Sequence, residues 1–398
     1  MLMSDSEQRR TAGAHKIGGR CAAATASILA AWLSTPIGVE AAVPGRPPDV
    51  NQCLSIAQYG ARTDGSDATG AIQNTIQAAK SIAARCVRIP SGTYNITRIV
   101  IDGGVKMIGS GDASVLYARD PNNRQVKLDG ANAGIYALKL LTYGNQRTNE
   151  DEAVWIEEGA SNWVVHNVTI DGGNGPGIIT YGARDGRITA NRVYNTRSDS
   201  IHISGGAHHI YIAGNKVRNS GDDCIAVVTY AYHPVNTYQV LIENNDVADQ
   251  PWGRGISVVG GENVTIRRNK ITRSSDAGIY IAAESSWATR GVRNVVVQDN
   301  TIDRSPQAHP EHGQTSILVY SDNNFWTENV LLTGNKITNA VNGPLRVEPH
   351  NTRNIACSAN TYNGWGVTHG LCTGNASSIG GTTVTSALLG GGTVGLPK

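Results

Sequence analysis

The chain has 398 residues, 46 of them glycine and one phenylalanine, with 17% charged residues and a formal charge of +2. Near-neutral charge carries no electrostatic footprint for nucleic acid or for an anionic membrane surface. Abundant glycine with few charges points to a turn-rich β protein rather than a helical one.

Residues 1–42 read as an export signal. Basic residues Arg9, Arg10, Lys16 and Arg20 precede an uncharged apolar stretch, Cys21 to Leu33. That stretch is shorter than the roughly 20 residues that span a bilayer. Pro36 and the small residues Ala41 and Ala42 mark a cleavage point, so the protein is expected to be secreted, to an extracellular or periplasmic space. Such a destination permits disulfides. Cys357–Cys372 and Cys53–Cys86 are the expected pairs, and Cys224, inside an apolar run, reads as a buried thiol. No Cys or His spacing matches a zinc site, and neither metal nor cofactor is expected.

Residues 43–376 are read as one domain and 377–398 as a Gly/Thr/Ser-rich tail. After a Pro-rich lead-in, Asp67 or Thr69 can cap a helix with Ala71, Ile72, Ile76 and Ala79 at helical spacing. Its expected job is to cover the open end of a sheet stack. A short strand, a Pro-Ser-Gly turn and another strand follow over CVRIPSGTYNI.

From about residue 160 the chain repeats. Alternating apolar strands each reach an asparagine: Asn191, Asn215, Asn245, Asn269, Asn300, Asn335 and Asn360, at steps of 24, 30, 24, 31, 35 and 25 residues. A second strand follows most of them, as in SIHIS, CIAVV, GISVV and GIYIA. Strands repeated without crossover helices must coil on themselves, which predicts an all-β, right-handed parallel β-helix. Inward columns are expected through Ile201, Ile225, Ile256 and Ile279, and through Ile203, Val227, Val258 and Ile281. The asparagines are expected to stack at one bend and satisfy buried turn backbone. Insertions near 229–237 and 304–314 should loop out, where binding walls are built.

Alternation then places Asp199, His202 and Ser204 outward or at the strand entrance, with Asp223 aligned one coil on and Asp222 at the bend before it. Coils lie about 4.8 Å apart. Three carboxyls so crowded cannot all ionise normally, so at least one should hold a proton near neutrality. A protonated acid beside carboxylates is what glycosidic bond cleavage needs. Asp and Gly also cap turns, but a Gly-Asp-Asp-Cys run one coil after Asp199 is more than turn chemistry asks for.

The segments SDSIHISGG and IYIAGNKVRNSGDDCIAV resemble the core of the polygalacturonases, glycoside hydrolase family 28. The entry segment YGARTDGSDATGAIQNTIQAA with VRIPSGTY is similar to that of the same family and of related β-helix pectinases, and the likeness covers roughly residues 55–365. It implies an inverting hydrolase with Asp222 as general acid and with Asp199 and Asp223 positioning and deprotonating the water. Neighbouring coils look closer than the usual inverting separation, so the stereochemistry rests on the resemblance. The chain departs from the family pattern at three places. Arg197-Ser198-Asp199 replaces Asn-Thr-Asp, Gly253-Arg254-Gly255 replaces Gly-His-Gly, and Tyr280-Ile281-Ala282 replaces Arg-Ile-Lys, whose two bases grip galacturonate in the family. Plain polygalacturonan is therefore not the expected substrate, although a polysaccharide or oligosaccharide is.

Arg254 is expected either to hold a substrate carboxylate or to pair with the aspartates. Tyr230 and Trp252, with Tyr232 and Trp287, are candidate stacking platforms for sugar rings. His202 is a candidate stand-in for the missing histidine, and Tyr280, Glu284, Arg346 and Glu348 lie along the same face. Two further readings stay open. One is a lyase or epimerase on a uronate polymer, with calcium held by the aspartates. The other is a glycan-binding solenoid without catalysis.

Overall fold

The computed structural model describes residues 47–366, residue 149 excepted. The segments 1–42 and 377–398 and Cys372 lie outside the described residues. Short alternating strands stack coil on coil into three sheets, two of twelve strands and one of ten. Among the described residues the strands pair in parallel except Thr361–Tyr362 with Trp365–Gly366, and one isolated bridge, Tyr230 to Thr289, is also antiparallel. The result is a β-solenoid with one α-helix, Thr69–Ala79, among the described residues.

Register is set by the inward columns. Ile201 pairs with Ile225, Ile225 with Ile256 and Ile256 with Ile279, and the Ile203–Val227–Val258–Ile281 column runs beside it. All eight side chains are fully buried. A one-residue slip would turn both columns to solvent, so the pattern allows a single pairing.

The asparagine column forms as expected. Each side-chain amide donates to the next asparagine's Oδ1, from Asn191 through Asn360, at 2.8–3.0 Å. The second N–H of each amide takes a strand carbonyl, and the Oδ1 also accepts a backbone N–H. The residue before each asparagine is left-handed: Ala190, Gly214, Asn244, Arg268, Asp299, Gly334 and Ala359 have φ between 53° and 67°. That conformation costs a non-glycine residue about 1 kcal/mol, and the ladder bonds hold it in place.

The solenoid begins earlier than the asparagine repeat. Strands Ile99–Ile101, Val126–Leu128 and Val154–Ile156 already belong to the ten-stranded sheet. In these coils Leu138 and Val168 stand in the ladder's place, with the same backbone bond to the following strand. The helix seals the open end. Ile72, Ile76 and Ala79 are fully buried, and the Gln73 amide both donates to and accepts from the Val100 backbone on the edge strand. Asp67 accepts the Thr69 N–H and hydroxyl at the helix start. Cys53 and Cys86 form the expected disulfide behind this cap.

Candidate active site

The site lies where strands Ile201–Ser204, Ile225–Val228 and Ile256–Val259 of the ten-stranded sheet begin. Asp199 and Asp223 occupy the same place in successive coils, and the Asp223 N–H donates to Asp199 Oδ1 at 2.9 Å. One coil on, the Arg254 N–H donates to Asp223 Oδ1 at 2.7 Å. Each strand entrance thus receives the carboxylate of the coil before it. Oxygens of Asp199, Asp222 and Asp223 come within 4.8 Å of one another. Gly253 permits this approach: at φ 86°, a Cβ there would sit 2.7 Å from Asp222 Oδ1.

The three carboxyls have different surroundings. Asp199 Oδ2 lies 2.6 Å from His202 Nδ1, which fixes the imidazole against the sheet. Asp223 is buried, and the Ser257 hydroxyl donates to its Oδ2 at 2.5 Å. Burial pushes the Asp223 carboxyl upward, and the Arg254 guanidinium 3.9 Å away opposes that push. Asp222 is the most accessible of the three, and Arg147 pairs with its Oδ2. Burial, then the Asp199 charge, push Asp222 up to about 6, against the pull of Arg147 and Arg254. A carboxyl titrating there holds a proton in mildly acid solution and releases it close to neutrality.

These groups floor an open groove. Ile179, Ala226 and Val259 supply its apolar floor, and Tyr181, Tyr230 and Trp287 its aromatic walls. Burial pushes the Tyr181 hydroxyl up to about 12, so it stays a neutral donor. The 229–237 insertion builds one wall: Tyr230 stacks on Tyr232 at 5.4 Å beside His233. Asp199, His202 and Ser204 leave the barrel as the alternation requires, yet neighbouring loops bury them to 8%, 6% and 0% exposure. The sequence pattern predicts an open face here; the loops convert it into the bottom of a groove.

The other candidates divide. Arg254 and Glu284 line the groove and pair with each other at 3.0 Å. Tyr280 lies beneath them, its ring 4.4 Å from the Arg254 guanidinium and its hydroxyl donating to Glu284 at 2.9 Å. Trp252 stands outside the groove, edge-on to His309 and His312 of the second insertion. Arg346 lies two coils beyond Tyr280 in the same row and pairs with Glu348 at 2.7 Å, also outside. Cys224 faces the core beside Gln250, and burial pushes its thiol up to about 12, which removes it from the chemistry.

Arg147, like Tyr181, is a groove residue that sequence reading missed. It precedes Asp222 by 75 residues, in no motif. Its segment is held by the buried Asn174, whose Oδ1 accepts the N–H groups of Asn145 and Gln146.

A family model described as "Right handed beta helix region" matches residues 122–237 and 152–362. No curated protein sequence matches the chain. Among solved structures, the A-module of the mannuronan C-5 epimerase AlgE6 from Azotobacter vinelandii superposes with a TM-score of 0.59 at 18% identity, covering 78% of this chain and 94% of that one. The catalytic domain of a GH87 α-1,3-glucanase in complex with tetrasaccharides gives 0.67 at 18% identity, covering 80% and 60%. The Streptococcus pneumoniae surface protein and adhesin PfbA gives 0.60 at 16%, covering 78% and 97%. At these identities the likeness is one of fold.

Proposed function

The chain belongs to the right-handed beta helix family, and on that scaffold we propose a glycoside hydrolase of the three-aspartate kind that the resemblance to family 28 implies. The observation that carries the reading is the carboxylate cluster in an open groove, with Asp222 raised to about 6. Asp222 donates its proton to the leaving glycosidic oxygen. Asp199 and Asp223, on the adjoining coil entrances, take a proton from a water between them. The water oxygen bonds to the anomeric carbon as the glycosidic C–O bond breaks, leaving Asp222 ionised and the base pair protonated. Arg254 and Ser257 hold Asp223 so that it serves as acceptor.

A second observation supports hydrolysis. Three of the glucanase structures each carry one Asp-to-Ala substitution, at positions 23 and then 1 residue apart, the same separations as Asp199, Asp222 and Asp223. A lyase or epimerase on a uronate polymer is the second reading; it is favoured by the closeness of the three carboxylates, which suits one divalent cation. Residues 1–42 would direct the protein to secretion, and the N-terminus of the exported protein reads this directly.

The test is a polysaccharide panel read for reducing ends and for the ultraviolet absorbance of unsaturated uronates, with Asp222→Asn beside the wild type. New reducing ends without absorbance, lost in the variant, are expected. Absorbance accompanying each cut would move the chain to the lyases. Glycan binding without cleavage, unchanged in the variant, would leave a binding solenoid.

A further inference from the structure

The groove contains two guanidinium groups, and neither is free. Its lining brings four carboxyls, Asp199, Asp222, Asp223 and Glu284, against Arg147 and Arg254. Arg147 pairs with Asp222. Arg254 lies between Asp223 at 3.9 Å and Glu284 at 3.0 Å. Glu284 is itself held on three sides. Its carboxylate accepts the Arg254 and Tyr280 donors, and its N–H donates to Thr289 Oγ1 at 2.8 Å. Tyr280 lies under the guanidinium, its ring centroid 4.4 Å from Arg254 Cζ.

A charged sugar would meet this arrangement badly. A uronate carboxylate entering the groove meets four carboxyls there and competes with Glu284 for Arg254 and with Asp222 for Arg147. Taking Arg254 leaves the buried Glu284 carboxylate with the Tyr280 hydroxyl alone, a desolvation cost that opposes the new contact. A neutral sugar needs neither exchange. It can stack on the aromatic walls and exchange hydroxyl hydrogen bonds with groups already in place.

We propose that Glu284 is a specificity-determining residue: by occupying Arg254 it closes the groove to uronates and selects a neutral hexose chain. This rests on the hydrolase reading for the identity of the groove, but its test reads binding and stands apart from turnover.

The experiment titrates the purified full chain with matched neutral and acidic sugars, glucose against glucuronate and galactose against galacturonate, and with short oligomers of each. Glu284→Gln keeps the shape and removes the charge. Wild type is expected to favour the neutral member of each pair. In Glu284→Gln the affinity ratio should move toward the uronate by about tenfold or more, the scale of one charge-assisted hydrogen bond gained. Tyr280→Phe, which removes a neighbour of Glu284 and leaves its charge, should keep the wild-type ratio. If Glu284→Gln fails to fold, Glu284→Ala, which removes the carboxylate outright, is read the same way. Wild type binding uronates as well as neutral sugars would overturn the proposal, and so would an unchanged ratio in the Glu284 variant. Neutral-sugar selection without cleavage of any polymer would sink the hydrolase reading and leave this one standing. Hydrolysis of a uronan by wild type, without ultraviolet absorbance, would do the reverse.

Discussion

Asp222 can be tested as the proton-holding acid without any substrate, through the stability of the fold. An ordinary aspartate titrates at about 3.9; in the groove Asp222 is pushed up to about 6. The folded state therefore binds this proton more tightly than the unfolded chain does. The stabilisation is fully present below about pH 4 and is lost as pH rises through about 6. A displacement of about 2 units at about 1.4 kcal/mol each is worth about 3 kcal/mol. About 2 kcal/mol of that opens between about pH 4 and about pH 8, because an unfolded carboxyl is already half ionised at the lower end. Asp222→Asn removes the titration. Urea unfolding of both proteins across this window should show the variant gaining about 2 kcal/mol on wild type with rising pH. The sign is unusual, since a substitution expected to abolish catalysis gains stability relative to wild type as pH rises. Parallel stability curves would refute the raised acid and with it the assignment of Asp222 as proton donor. A coupled cluster shares its protons, so the same curve on Asp199→Asn tells whether the effect belongs to Asp222 or to the set.

Other perturbations probe the groove and the scaffold. Arg147→Gln removes a charge that pulls Asp222 down; the alkaline limb of the pH–rate profile, which wild type should show near about 6, is expected to move up, and an unmoved limb would separate Arg147 from the acid. Asn245→Ala deletes four side-chain hydrogen bonds of the ladder. At about 1 kcal/mol net for each, unfolding should become easier by about 4 kcal/mol, and a loss under about 1 would mean that the ladder is ornamental. The Cys53–Cys86 bridge closes a 33-residue separation, so Cys53→Ser with Cys86→Ser should cost up to about 4 kcal/mol. Hydrogen exchange should place that loss at the helix end of the solenoid, since coils contact only their neighbours.

What sequence reading could see follows from distance along the chain. The Ile201 and Ile203 columns repeat with period two inside each strand and with coil period between strands, so both are written locally. The asparagines mark one bend seven times, and the left-handed residue before each was hidden because Ala190, Arg268 and Ala359 are not residues that advertise it. The first coils carry no asparagine mark because Leu138 and Val168 fill the ladder position with apolar side chains, so only the likeness of the entry segment placed them in the same domain. Asp222 and Asp223 were legible for the same reason as the columns, since one coil brings them to Asp199. Arg147 was not, because its reach depends on how a non-repeating loop is tied to Asn174, and no periodicity reports that. The pairing of Arg254 with Glu284 lies between these cases: both residues were visible, and only the structure shows them engaged with each other.

A parallel coil stacks like on like at about 4.8 Å, and the consequence depends on the residue stacked. Isoleucines gain contact area. Asparagines gain a donor and an acceptor at every step, and the fold uses this from Asn191 to Asn360. Aspartates gain only repulsion, relieved here by borrowed N–H groups, one hydroxyl and two guanidinium groups. At the bend the same chain resolves a buried polar stack with seven asparagines. A scaffold selected for standing alone would do so at the strand entrances too, where asparagine in place of Asp199 or Asp223 would keep the acceptors and lose the repulsion. Aspartates there cost stability that the asparagines at the bend avoid, and under the proposed mechanism what they supply in return is an acceptor for the proton of a water.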